Sequence, residues 1–429
     1  MAKGWTKYKL SDLGFLGRGK SKHRPRNDES LFGGKYPFIQ TGEIKATNLY
    51  ISDYEQTYNE KGLAQSKLWN ENTLCMTIAA NIAETAILKI KACFPDSVVG
   101  FVADDKLCNV FFIKYYIDFI KNRMQSVSGG ACQDNLSLDK IAYFDIEAPK
   151  REMQDKIAKV LSNYDDLIEN NNKRIKILEE MAQKIYKEWF VDFKFPGHET
   201  ATFKQTELGK IPSDWVHKPI DSLLEHQIGG GWGNEEKDAK YAESAYVIRG
   251  ADIPNGRDGN IQNCPLRYHT SSNIKTRLLQ INDIVFEVSG GSKGQPVGRS
   301  LLLNKNLFNQ FNDNVICASF CKLLRPDVNQ ILPELVYLHL LNIYNNGEIE
   351  KYQTQSTGII NFKFTFFLES ERVLVPNYNI QELFKKIIVP IFDEISLLGY
   401  KNQTLKQTRD LLLPRLISGE IDVENLEIA

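Results

Sequence analysis

Apolar and polar positions along this 429-residue chain alternate between two kinds of stretch, and the alternation happens twice. The longer-period kind is a 3-4-3-4 step sustained over many turns. It reads Ile157, Val160, Tyr164, Leu167, Asn171, Arg174, Leu178, Met181 and Ile185 in the first instance. The second reads Phe384, Ile388, Ile391, Ile395, Leu398, Asn402, Leu405, Arg409, Leu412 and Leu416. Spacing that averages 3.5 residues predicts two long helices with a coiled-coil seam. Asn171 and Arg174 interrupt one row, Asn402 and Arg409 the other. Polar residues in a seam cost stability but fix register. Pro390 removes a backbone donor and predicts a kink, or a restart of the second helix after it.

Ahead of each helix lies a shorter-period stretch with strand-like pieces between Gly, Asn and Asp turn signals. In the first these are 36–40, 73–77, 85–90 and 97–102, then a helix over 109–124 carrying Phe111, Phe112, Tyr115, Tyr116 and Phe119. A small polar loop, 126–135, precedes a last strand ending at Pro149. The second stretch repeats this order: 246–253, 283–288, 300–303 and 315–324, a helix over 332–344, a loop over 353–361, and a strand ending at Pro376. Each stretch opens with a Trp and a short apolar pattern (Trp5 to Leu13, Trp215 to Leu223). Tyr164 aligns with Phe392 and Lys173 with Lys401 at one offset. The pattern predicts an α/β (α+β) protein built by internal duplication. Its boundaries are a globular domain over 1–149, a helix and connector over 150–197, a second domain over 198–376 and a second helix over 377–429.

Composition narrows the class without naming a function. Apolar content of 42% and charged content of 25% are ordinary for a globular chain. The start of the chain lacks a signal-peptide run, and no stretch approaches the ~18 apolar residues of a membrane span. A cytoplasmic protein without membrane contact is expected. Seven cysteines form no Cys-x-x-Cys pair, and Cys317 and Cys321 lack a second pair or a nearby His. They read as reduced thiols, with no metal site. The formal net charge is −1, whereas nucleic-acid binders carry a basic excess. Any such binding needs locally gathered cations or a partner that supplies them.

Gly14 to Ser21 matches the phosphate-loop pattern GxxxxGK[ST] letter for letter. The pattern needs a strand before it and a helix after it, yet a Pro-containing polar run follows, and no Walker B partner stands out. The crowding of Arg18, Lys20, Lys22, His23, Arg24 and Arg26 reads either as a binding turn, with Lys20, Ser21 and Arg24 as contacts, or as a solvated charged loop. Two further pairs of loops are built from small and polar residues. One pair spans 76–84 and 287–299, with Thr77, Ala80, Asn81, Ser289, Gly291, Ser292, Lys293, Gln295 and Arg299. The other spans 126–135 and 353–361, with Ser128, Gly130, Gln133, Ser356 and Thr357. Small residues permit close backbone approach, and amide and basic side chains pair with base edges and phosphates; plain hairpin turns are the competing reading. Gln40 and Arg249 close matching strands and reach out beside these loops, or else simply face solvent.

Three junctions carry a family resemblance: KEWFVDFKFPG at 187–197, TELGKIPSDW at 206–215 and LLPRLISGEI at 412–421. In this order, and with the duplication, the chain resembles the specificity (S) subunits of Type I restriction-modification systems over nearly its whole length. The resemblance implies two target-recognition domains, each reading one half of a split DNA sequence. They are separated by two long antiparallel coiled-coil helices in a pseudo-two-fold repeat. Those helices serve as spacer and as docking surface for two methyltransferase (M) subunits, through Val160, Tyr164, Leu167, Asn171, Leu178, Ile185, Ile388, Ile395, Leu398, Asn402, Leu405 and Leu412. A rod of about 60 Å exceeds one duplex turn of about 34 Å. No cofactor is expected on this chain. The resemblance implies S-adenosylmethionine on the M subunits, and ATP and Mg on the restriction (R) subunits.

That reading predicts a non-catalytic DNA-binding subunit. A stand-alone adenine methyltransferase is the rival, but the chain has no [DNS]-P-P-[YF] motif where an aromatic would stack on a flipped base. A nucleotide hydrolase and a coiled-coil scaffold without DNA contact are the other two. An acidic residue at Leu167 or Ile395 is expected to disrupt helix pairing or docking.

Overall fold

A computed structural model describes residues 4–79, 81–128, 135–290, 295–356 and 359–426. The chain forms two compact units, Met1–Ile168 with Thr404–Ala429, and Glu169–Gln403. The division runs through both long helices, so each unit contains one part of each.

In the first unit a five-stranded sheet has the order Gly14–Arg18, Val98–Ala103, Leu74–Thr77, Thr85–Leu88, Tyr50–Ile51. Its pairings are antiparallel except the last. Leu74, Met76, Ile87, Val99 and Phe101 of the sheet pack with Phe112, Ile113, Tyr115 and Tyr116 of the helix Val110–Ser128. A side sheet places Phe32–Phe38 between Gln56–Tyr58 and Ala92–Cys93. Thr6–Lys9 pairs antiparallel with Asp145–Ala148, the strand that leads into the first long helix.

The second unit repeats the scheme on its own core. Its central antiparallel sheet runs Leu224–Gly229, Cys321–Pro326, Ile284–Glu287, Ser300–Leu302, and the helix Pro333–Asn345 contributes to the same core. Val216–Pro219 pairs with Arg372–Val375 ahead of the second long helix. Each side sheet contains one parallel pair, Phe38 opposite Cys93 in one unit and Tyr246 opposite Val315 in the other. Strands and helices follow the predicted order with three corrections: the loop expected at 353–361 is a pair of strands, Gln353–Ser356 and Ile359–Phe362; the strand expected at 315–324 is two, Asn314–Cys317 and Cys321–Pro326; and the strand expected at 246–253 ends at Ile248, before helical turns.

The first long helix runs Arg151–Tyr186 and closes in a π-helical turn, Lys187–Val191. The second, Tyr378–Ile417, is one continuous helix of 40 residues. Pro390 neither splits it nor restarts it. Pro390 and Lys386, whose carbonyl loses its partner, are both exposed, so the missing bond lies where solvent can reach it. The helix segments pack antiparallel within each unit. In the second unit Asn171 Nδ2 donates to Asn402 Oδ1 at 2.8 Å, and Arg174 pairs with Glu394 at 2.6 Å. In the first, Ile157, Ala158 and Leu161 share a core with Leu416 and Ile417, and Arg409 donates to Asp165.

The buried row of the first helix differs in phase from the expectation. It runs Ile157, Leu161, Asp165, Ile168, Asn171, Ile175, Ala182 and Tyr186. Leu167 and Met181 are exposed, and Arg174 lies at the surface. Val160–Leu161, Leu167–Ile168 and Met181–Ala182 are adjacent apolar pairs, so spacing alone fits either member and packing selects the second. The second helix keeps its expected row: Phe384, Ile388, Ile391, Ile395 and Leu398 are buried, and Asn402, Leu405 and Leu412 half-buried. No helix among the described residues is long and apolar enough to cross a membrane.

Candidate nucleic-acid interface

The phosphate-loop look-alike is a strand. Gly14–Arg18 forms the edge of the central sheet, and no helix follows Ser21. Its glycines answer to packing: a Cβ on Gly17 would come within 2.9 Å of the Phe15 ring and 3.3 Å of Trp69. One on Gly19 would lie 2.3 Å from the Pro95 carbonyl oxygen. Ser21 is buried, and its carbonyl accepts from Arg24 Nη1 at 2.6 Å. The basic turn folds around Asp96. Arg26 grips its carboxylate at 2.7 and 2.9 Å, Arg24 approaches to 3.8 Å, and Arg18 donates to its backbone carbonyl at 3.1 Å. Lys20 is exposed. Ser21, Arg26 and Gln40 line an open groove of about 830 Å³ together with Asn27, Gln56 and Ser97, three polar residues that the sequence pattern does not single out.

Gln40 and Arg249 are helix caps and not strand ends, since the strands stop at Phe38 and Ile248. The Gln40 N–H donates to Glu43 Oε2 at 2.7 Å, and the Arg249 N–H to Asp252 Oδ2 at 2.9 Å. Capping-box spacing, a cap followed three residues later by an acid, was the available signal. Gln40 keeps its amide at the groove, donating to Gln56 Oε1 at 3.1 Å. Arg249 instead spends its guanidinium on the Asp252 carboxylate, both contacts at 2.8 Å, and on the Asn263 carbonyl at 2.9 Å.

In the first unit the residues on either side of the second polar loop contact the first loop: the Leu136 N–H donates to the Ile78 carbonyl at 2.9 Å, and Gln125 Nε2 to the Ile82 carbonyl at 2.9 Å. Thr77 faces inward: it is fully buried, donates to the Asn81 carbonyl and accepts from the Glu84 N–H at 3.0 Å. It shapes the loop. Asn81 is half-buried, and its Oδ1 accepts from Lys45 at 3.0 Å. Ser128 ends its helix, whereas Ala80, Gly130 and Gln133 lie outside the described residues.

The second unit brings its polar loops together more directly. Ser289–Gly290 pairs with Asn361 and Ile360 in a small sheet whose outer strand, Gln353–Ser356, contains Ser356. Ser289 Oγ donates to Asn361 Oδ1 at 3.1 Å, and Gln295 is exposed. Gly291, Ser292, Lys293 and Thr357 lie outside the described residues. Arg299 is committed internally. It binds Glu287 through two bonds of 2.8 and 2.6 Å, with side-chain exposures of 13% and 3%. Hydrogen bonds donated to Glu287 hold the Arg299 guanidinium above its ordinary proton affinity, against the effect of burial. The pair, with the Glu287 N–H on the Arg299 carbonyl at 2.9 Å, clamps the neck of the loop. Phe320, 62% exposed, adjoins this surface through its carbonyl, which accepts from the Val288 N–H at 2.9 Å. No periodicity marks it.

Of the helix residues, Asn171, Ile388, Ile395 and Leu398 are buried, and Val160, Tyr164, Leu178 and Ile185 half-buried. Leu167, Ile177 and Met181 are exposed, as are Leu383, Ile387 and Leu397 of the second helix. The six described cysteines are buried thiols without disulfides. Burial pushes Cys93 up to about 11, and Cys108, Cys264 and Cys317 up to about 12. These are packing residues and not nucleophiles.

Fold and surface together define a protein of two mixed α/β units, each with converging polar loops and a share of two long helices. Residues 2–180 match the family model of the Type I restriction modification DNA specificity domain. The chain is similar along its whole length to Type I restriction-modification specificity subunits. It is 25% identical over 446 aligned residues to the Type I restriction enzyme MjaIX specificity subunit of Methanocaldococcus jannaschii, covering 99% of this chain and 95% of that one. It is 24% identical to the HindI specificity subunit of Haemophilus influenzae, covering 97% and 99%. The fold is that of the Type I restriction-modification S subunit from M. genitalium, with a TM-score of 0.56, 14% identity and 96% coverage of both chains.

Proposed function

We propose that this chain is the DNA-recognition (specificity) subunit of a Type I restriction-modification complex. The observation that carries the reading is the match of residues 2–180 to the DNA specificity domain, within a similarity to specificity subunits that spans 99% of the chain. Each unit reads one half of a bipartite target, through the joined loops around Asn81 and Leu136 in one and around Ser289 and Asn361 in the other. Double-stranded DNA is the ligand. The role is non-catalytic and cytoplasmic, and this chain binds no cofactor. Two M subunits bring S-adenosylmethionine and dock on the helices, where exposed Leu167, Ile177 and Met181 offer apolar contact. R subunits, carrying ATP and Mg, join through the complex.

The net charge of −1 fits this division of labour, since M subunits then supply part of the positive surface. The test is to express the chain with its M subunits in cells lacking other methylation and to sequence the methylated adenines. A bipartite motif with a fixed spacer is expected. Unmethylated DNA despite an assembled complex would overturn the reading.

A further inference from the structure

In the first unit two lysines lie near one another with no ion pair among the described residues. Lys67 Nζ sits over the Trp69 ring, 3.5 Å from its centroid, and 4.5 Å from that of Phe15. The Lys20 backbone is fixed next to this segment, because Ser66 Oγ donates to the Lys20 carbonyl at 2.8 Å. Among the described residues neither lysine has a carboxylate within ion-pair distance; Lys35, Lys114 and Lys351 face rings with one, Lys210, Lys240 and Lys322 face rings without one, and Lys67 lies over two rings at once. Burial, and then the charge of Lys20, lower the proton affinity of Lys67. Like charges near one another are unfavourable until an anion joins them. Arg18 adds to the field, because it binds the Asp96 backbone and not its carboxylate. Phe15, 56% exposed on the edge strand, presents a ring beside the pair. The second unit handles a similar stack differently: Arg267 lies 4.8 Å from the Trp232 centroid, but Glu235 neutralises it at 2.7 Å.

We propose that Lys20 and Lys67, flanked by Phe15, form a phosphodiester-binding site that anchors the DNA backbone to the first unit without reading its sequence. The look-alike motif thus does meet phosphate, through a side-chain pair on a strand edge and not through a backbone cradle. The site rests on the DNA-recognition reading. Ring-stacked lysine and exposed aromatic are the elements that grip nucleic-acid strands elsewhere in general.

The test uses the chain assembled with its M subunits and measures duplex affinity across a salt series, for wild type, Lys20→Gln/Lys67→Gln and Lys67→Arg. Each lost phosphate contact lowers the slope of log affinity against log salt by about 0.9. The double variant is expected to lose about 1 to 2 from that slope and to weaken equally on duplexes altered at either half-site. Lys67→Arg should keep the wild-type slope, and unchanged Trp fluorescence should show that the platform is intact. An unchanged slope in the double variant, with wild-type binding normal, would overturn the site and leave the functional reading standing. A loss confined to one half-site sequence would overturn it in favour of base contact. ATP binding by the wild type that the double variant lacks would assign the pair to free nucleotide and overturn it as well. Absence of DNA binding by the wild-type complex would remove the functional reading, and the site with it.

Discussion

Asp165 has no exposed surface on its side chain and is satisfied by two partners. Tyr115 donates to one oxygen at 2.5 Å, and Arg409 donates to the other. All three belong to the first unit, so the network ties its helix segments to its globular core. Removing one member strands a buried charge, at a cost of about 3–5 kcal/mol, whereas replacing the pair by apolar groups is far milder. Arg409→Ala is therefore expected to lower the unfolding midpoint sharply, and Asp165→Leu/Arg409→Met to recover most of the loss, as measured by thermal denaturation. In the second unit burial alone would raise Glu371. Hydrogen bonds from His339, Tyr352 and Lys351 outweigh it and hold the carboxyl down at about 2, against an ordinary value of 4.5. A depressed carboxylate stabilises the fold above its unfolded value, and the contribution fades as pH falls from about 4.5 to about 2. It is on the order of 3 kcal/mol. Glu371→Gln should flatten that part of the stability–pH curve. At this scale the sequence signals were uneven. Gln40 with Glu43 and Arg249 with Asp252 have cap spacing, but the apolar alternation before them reads as strands that they close, and the caps went unread. The pairing of Asp165 with Arg409 joins residues remote in sequence and leaves no local trace.

Among the elements, the first long helix was legible in extent but not in phase, because adjacent apolar pairs satisfy two rows equally. The corrected row changes what substitution there should do. Ile395→Asp puts a charge on a side chain 3% exposed and is expected to unfold the helix packing of the second unit. Leu167→Asp, at a position 51% exposed, should leave far-UV circular dichroism and the melting temperature intact while weakening M-subunit binding. Glu179 lines a cavity of about 30 Å³ with Arg257, Asn304 and Tyr337. Burial, then repulsion from Asp258, push its carboxyl up to about 6, with Arg257 opposing. A raised carboxylate binds its proton more tightly when folded, so stability falls as pH rises from about 4.5 through about 6. Glu179→Gln should raise the melting temperature at pH 7.5 and have little effect at pH 4.

For the whole molecule, duplication was the most legible property. Two similar spans of turn signals and two long periodic helices fold into two units whose sheets share an order, with one parallel pair in each side sheet, although the first unit's sheets each have a strand (Tyr50–Ile51, Leu68–Trp69) that the second lacks. Contact assignments were less legible, since composition favours Asn, Ser, Arg and Thr both for reading DNA and for holding a loop's neck. Thr77 and Arg299 bond within their own loops, and Arg249 caps a short helix. The two-unit reading predicts that Asn81→Ala changes the methylated motif in one half only and Gln295→Ala in the other, as shown by sequencing methylated adenines. A shift in both halves from either single change would contradict it.

The pairing of Asn171 with Asn402 joins amides 231 residues apart in the chain. During synthesis at about 5–20 residues per second, the first helix waits roughly 10–50 s for its partner. The core of the first unit waits longer, because it also needs Leu416, Ile417 and Val423, which follow Asn402 in the chain. The nascent chain thus carries an unpaired apolar row throughout that wait. Its yield should depend on how fast the ribosome finishes and on what shields that row meanwhile.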